Sequence, residues 1–226
     1  MRNILHILTV MILLSCATSK QKKDLLPVQF PDGFDTTKIG IEFKDLQRLY
    51  NLDNLTAFDS LRIQSKIVTE LLTDNKSYTA EILNFVAMCF RVTNLDHDKF
   101  MDFPDKDTII ELYYRAYKIG QNSNIKNTQT FSETLFQLSE CLEQNNQYLE
   151  AQKFRLEYLD LMKTIYGFEN LRTADAIMWI GQNYKNQNLN DSAIVWFEKE
   201  ILIRKKLNEN QIIDRRQKEI QKLKNN

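Results

Sequence analysis

From Ile39 onward apolar residues recur three and four positions apart, and almost nothing alternates with period two, so the chain predicts helices joined by short polar turns. The pattern is sharpest over Ile177, Ile180, Gly181 and Tyr184, followed by Ala193 and Phe197 on what should be a second helix. Two facing helices approach closely where small residues meet, and Gly181 and Ala193 are placed for such a crossing. The spacing returns 42 residues earlier in Leu135, Leu138, Ser139, Leu142 and Ala151. Leu83, Val86, Ala87 and Phe90 repeat it once more, with Ile109, Tyr113 and Ala116 as the partner helix. Ten extra residues separate the two helices of that earlier unit, near 95–105.

The remaining boundaries are set by turn and cap chemistry. Leu46, Leu49 and Tyr50 predict one helix, and Ala57, Leu61, Val68, Leu71 and Leu72 a longer one after Asn54. No small-residue crossing marks this first pair, as expected of a terminal unit. The next helix is predicted over 79–92. Gly120 should stop its partner, leaving 121–129 as a polar linker. Thr130 with Glu133 three residues on has capping-box spacing. Asn145 and Asn146 mark a turn, then Ala151, Phe154, Leu159, Met162 and Ile165 form a helix closed by Tyr166 and Gly167. Thr173 and Asn190 are the expected caps of the fourth pair. Residues 210–226 are charged, with Ile212, Ile213, Ile220 and Leu223 along one side, a solvating final helix.

This helix–turn–helix pattern with a 42-residue period resembles tetratricopeptide (TPR) repeats of the kinesin-light-chain type, most closely over 131–207. The resemblance implies an all-α, right-handed TPR-like solenoid of about four antiparallel helix pairs over 39–207, ending in a C-terminal helix at 208–226. Two residues depart from it: Arg155 stands where Phe197 stands one unit later, and Glu200 holds a place usually given to Ala. The resemblance also implies a concave partner groove lined by the first helix of each pair. Carried onto this chain, the second unit contributes Glu81, Asn84, Met88 and Arg91, and the third Glu133, Phe136, Glu140 and Glu143. The fourth contributes Asp175, Met178, Gln182 and Lys185. Five of these are acidic and two basic, around an apolar centre of Met88, Phe136 and Met178, so the expected ligand is a protein segment with apolar anchors flanked by Lys or Arg. The Lys- and Asn-rich carboxylate clamp of chaperone-binding members is not apparent. The alternative is that these acids solvate an unused face.

Composition supports helices: five Gly and three Pro in 226 residues disfavour a turn-rich β protein. Lys plus Arg equals Asp plus Glu at 30 each, so no basic surplus points to nucleic acid. The amino terminus changes the picture more. Arg2 precedes an apolar run over 4–14, too short for the ~20 residues of a membrane span and read as a signal peptide at 1–15. Leu13, Leu14, Ser15 and Cys16 resemble a bacterial lipoprotein box, which implies that Cys16 is lipidated and begins the mature chain. An ordinary signal peptide with a chance cysteine is the alternative. Residues 16–38 then form a tether, whose Lys20, Lys22 and Lys23 either touch anionic headgroups or are simply solvated.

Candidate chemistry is sparse. Outside the signal the one histidine is His97, with no Ser or Cys motif beside it, and the glycines are isolated rather than arranged as a phosphate cradle. No enzyme activity, cofactor, metal or small-molecule substrate is expected. Asp96, Asp98, Asp102, Asp105 and Asp107 crowd the inserted segment, but without the glycine and terminal glutamate of a helix–loop–helix calcium site. They read as a solvated loop capping the next helix, retained as a second contact candidate. Cys89 and Cys141 occupy equivalent places in adjacent units, too far apart for a disulfide, and should be free and buried. The expected function is a lipid-anchored adaptor binding a protein segment in a bacterial cell envelope, on the periplasmic side of the outer membrane if there are two. The alternative is a permanent structural subunit of an envelope assembly or secretion complex.

Overall fold

The computed structural model describes residues 37–51, 58–74, 76–94 and 106–225. These form nine helices and no strand: α1 (Lys38–Asn51), α2 (Phe58–Leu71), α3 (Ser77–Asn94), α4 (Lys106–Gln121) and α5 (Gln129–Gln144), then α6 (Tyr148–Tyr166), α7 (Leu171–Asn186), α8 (Asn190–Lys206) and α9 (Asn210–Lys224). Each helix packs on its sequence neighbours from α1 through to α9, so the described chain is an all-α stack of four helix pairs closed by a ninth helix. The first pair joins the same core as the rest. Phe43 meets Phe85 of α3 edge-on at 5.4 Å, and Tyr50 does so at 5.2 Å. No described helix is long and apolar enough to cross a membrane.

Three tight turns share one device. Asn146, Asn188 and Asn208 take φ of 60°, 60° and 59°, left-handed values that asparagine tolerates better than most residues. In each turn the N–H three positions past the last helical residue donates to the carbonyl five residues back: Gln147 to Leu142 at 2.8 Å, Leu189 to Tyr184 at 3.0 Å and Glu209 to Arg204 at 3.0 Å. This is the Schellman arrangement, which satisfies carbonyls that a helix end would otherwise leave unpaired. The α8–α9 connection therefore repeats the turn that joins the helices within the third and fourth pairs. Gly167, at φ 84°, closes α6 as the sequence indicates.

Several boundary expectations are corrected. Thr130 is not the cap of α5. Thr128 is: its backbone is extended and its hydroxyl accepts from the Phe131 N–H at 3.3 Å, while Glu133 accepts from Gln137. Asn170 rather than Thr173 caps α7, accepting from the Arg172 N–H at 2.9 Å, and the buried Thr173 hydroxyl instead donates to the Gly167 carbonyl at 2.7 Å. Asn190 is the first residue of α8, preceded by Leu189, which makes no side-chain cap bond. Gly120 does not stop α4 but lies within it, buried, where a Cβ would stand 2.6 Å from Phe131 Cδ2.

The small-residue crossing in the fourth pair is real but has a different partner. A Cβ on Gly181 would lie 2.5 Å from Phe197 Cε1, so the glycine makes room for a ring rather than for Ala193. Ala193 is fully buried in the same apolar group as Phe197, Ile201, Ile213, Ile220 and Leu223, with Tyr184 packed against it. Ile213, Ile220 and Leu223 of α9 are thus the apolar side of the charged last helix, as its spacing predicts.

Candidate functional site: the half-buried face of the first helices

The twelve residues expected to line a groove lie on α3, α5 and α7, and all twelve are partly exposed. In α3 the reason is visible along the sequence. Ile82, Leu83, Phe85, Val86, Ala87, Cys89 and Phe90 are buried, which leaves Glu81, Asn84, Met88 and Arg91 on the remaining stripe. Glu133, Phe136, Glu140 and Glu143 do the same on α5, and Asp175, Met178, Gln182 and Lys185 on α7.

The structure ties these stripes together with charge and rings. Arg91 of α3 stands 3.7 Å from Glu140 of α5 and also donates to Gln137. Glu143 accepts from Asn183 of α7 at 2.7 Å. Phe136 meets Trp179 of α7 edge-on at 5.6 Å and Tyr158 of α6 at 5.7 Å. Asp175 pairs with Arg204 of α8 at 2.5 Å, and Lys185 with Glu219 of α9 at 2.5 Å. Met88 receives the Tyr50 hydroxyl at 3.9 Å, and Gln182 donates to Asn186. Burial lifts the Glu81 carboxyl above its ordinary value, and the Asn84 side-chain oxygen is buried without a hydrogen bond. With Arg155 of α6 beside Glu143, three of the five acids lie within ion-pair range of an arginine of this chain, so the face carries less uncompensated negative charge than its composition indicates.

The residue that organises this network is Arg155, which the spacing shows only as a departure from the repeat. Its side chain is 1% exposed. Its Nε donates to Glu143 at 2.6 Å, and its Nη2 lies 3.6 Å from Glu140. The guanidinium also sits 5.2 Å from the Trp179 ring and 5.7 Å from that of Phe136, at cation–π range. The second departure has the same logic. Glu200 is fully buried and receives Arg204 at 2.6 Å and Arg216 of α9 at 2.7 Å, while Arg216 lies 4.2 Å over the Phe197 ring. In each case a buried charge within a repeat signals a partner from a neighbouring element, but the sequence does not say which one.

Cys89 and Cys141 are buried and in no disulfide, as expected, and desolvation pushes the Cys89 thiol well above its ordinary value. Asp107 is exposed in the first turn of α4. Cys16, the tether as far as residue 36, His97 and the other aspartates of the inserted segment lie outside the described residues, and Lys38, expected to end the tether, is the first residue of α1. Among the described residues, no three His, Cys, Asp or Glu side chains gather as metal ligands would.

Comparison with solved structures places this architecture. A kinesin-light-chain-like protein of Podosopora anserina with nearly identical TPR-like repeats, in a form carrying a single substitution, aligns over 84% of this chain and 95% of its own, with TM-score 0.59 and 10% identity. A second structure of that protein aligns over 83% and 95%, with TM-score 0.57 and 10% identity. BtubC (BKLC) from P. vanneervenii aligns at 16% identity over 83% of each chain, with TM-score 0.48. The fold is therefore the TPR-like helical repeat of kinesin-light-chain type that the 42-residue period indicates. No protein-family model and no curated protein matches the chain.

Proposed function

We propose that this protein is an adaptor: a TPR-like stack, held to a bacterial envelope membrane by lipid on Cys16, that binds a segment of another protein along α3, α5 and α7. The observation that carries this reading is the continuous half-buried stripe on those three helices. Met88, Phe136, Met178 and Trp179 provide apolar area there, and a fixed set of ion pairs borders them. Stacked helix pairs present extended surfaces suited to holding a segment rather than to turnover. The neutralised acids shift the expected partner toward apolar anchors, with charge setting register more than affinity. The anchor rests on the sequence at 13–16, and on the periplasmic side of an outer membrane the tether would let the stack reach partners at about 3.3–3.6 Å per extended residue.

A permanent structural subunit is the second reading, favoured by Leu149, Leu156, Val195 and Leu202, which stand exposed on the second helices α6 and α8. The test is a crosslinked pull-down from native membranes with wild type and Cys16→Ser. The adaptor reading expects a captured protein with wild type and release of Cys16→Ser from the membrane or its persistence as a precursor. Membrane retention of a processed Cys16→Ser protein would remove the anchor from the account.

A further inference from the structure

The ion pairs around Arg155 are incomplete in a specific way. Nε is satisfied by Glu143 at 2.6 Å, but Nη1 and Nη2 are buried and make no hydrogen bond. Glu140 lies 3.6 Å from Arg155 and 3.7 Å from Arg91, close enough to attract both guanidinium groups and too far to bond to either. Buried donors without acceptors are costly, and a guanidinium fork is shaped for the two oxygens of a carboxylate. The Glu140 side chain is 16% exposed and that of Arg91 is 18%, so Glu140 covers the site from the open side while Arg155 lies beneath at 1%. Phe136 and Trp179 wall the guanidinium and keep water from screening it.

We propose that Arg91 and Arg155 form a carboxylate-binding site that Glu140 occupies imperfectly in the free protein, and that an aspartate or glutamate side chain of the partner segment takes over. This inference rests on the reading of α3, α5 and α7 as the partner face. When the partner's carboxylate enters, Glu140 turns toward solvent, and the incoming oxygens accept from the Arg155 Nη1 and Nη2 groups that now have no acceptor. The cluster of Arg91, Arg155, Glu140 and Glu143 is neutral as it stands, so moving Glu140 out leaves one positive charge for the ligand to meet. Glu140 is therefore an internal competitor, which sets a threshold against weakly matched acidic segments.

The chain has two tryptophans, Trp179 and Trp196, so the indole N–H of Trp179 can be assigned with Trp196→Phe and followed by NMR. The full chain in detergent is titrated with a blocked tripeptide carrying a central aspartate, and with its asparagine twin, at fixed ionic strength. The expected result is a saturable Trp179 shift with the aspartate peptide alone, tightened about fivefold in Glu140→Gln and lost in Arg155→Met. If Arg155→Met does not fold, the Glu140→Gln comparison decides by itself. No shift in either wild type or Glu140→Gln, or equal shifts with both peptides, would overturn the proposal. Partner crosslinking from position 136 without a response to the aspartate peptide overturns this site and leaves the adaptor reading standing. A response without any such crosslink overturns the adaptor reading instead.

Discussion

Adding one methyl group at Gly181 tests the packing of the fourth pair. In Gly181→Ala the new Cβ would lie 2.5 Å from Phe197 Cε1 and 2.6 Å from Cδ1, against an ordinary carbon contact of about 3.5–4.0 Å. The ring must retreat by about 1 Å. It has little freedom to do so, because Phe197 is fully buried and Arg216 lies 4.2 Å over its ring while bonded to Glu200. Overpacking of this kind costs about 1–3 kcal/mol, and alanine returns about 1 kcal/mol in helix propensity. The net is a loss of up to about 2 kcal/mol, or at most about 4–8 °C in melting temperature for a chain of this size. The assay is thermal unfolding followed by circular dichroism, with Phe197→Leu as the second arm. On that smaller side chain, Gly181→Ala should become neutral or stabilising. Equal effects of Gly181→Ala in the wild-type and Phe197→Leu backgrounds would refute the packing argument. Gly120→Ala should behave the same way against Phe131, where the approach is 2.6 Å.

Asn188→Ala should cost about 1–2 kcal/mol because residue 188 sits at φ 60°, whereas Asn188→Gly should be nearly neutral, read by urea denaturation. Arg155→Ala leaves Glu143 without its guanidinium and should cost about 3–5 kcal/mol, with Arg155→Phe plus Glu143→Gln recovering part of it in the same assay. Burial raises the Asp74 carboxyl, but bonds from the Thr79 and Tyr78 hydroxyls, together with the backbone N–H and charge of Lys76, outweigh it and hold the group below its ordinary 3.8. The stability it supplies is therefore present above pH 3.8 and lost as pH falls through the depressed value. The gap in melting temperature between wild type and Asp74→Asn should accordingly be open at neutral pH and close in acid.

Helix identity and order were legible because burial repeats every three to four residues, and the last two regular pairs carry that signal at a 42-residue offset, with ten extra residues interrupting the pair before them. The partial exposure of the stripe was legible for the same reason: once Leu83, Val86, Ala87 and Phe90 are inside, geometry leaves 81, 84, 88 and 91 at the edge. Helix starts were less legible. Thr128, Thr130, Asn170 and Thr173 are all competent caps, and which one serves depends on where the preceding turn delivers the chain. The charge network was the least legible part. Arg155 and Glu200 break the apolar pattern; Arg204 stands four residues after Glu200 on the same helix, but Glu143 of α5 and Arg216 of α9 reach these groups from distances in sequence that no local spacing encodes.

The central claim, that another protein is held along α3, α5 and α7, is tested most directly by photo-crosslinking in native membranes. A photoreactive residue is placed in turn at positions 88, 136 and 178 on that face, and at 156 and 202 on the exposed sides of α6 and α8. The account predicts a common adduct from 88, 136 and 178 that is absent from 156 and 202. An adduct formed only from 156 and 202 would contradict it and assign the contact to the outer helices.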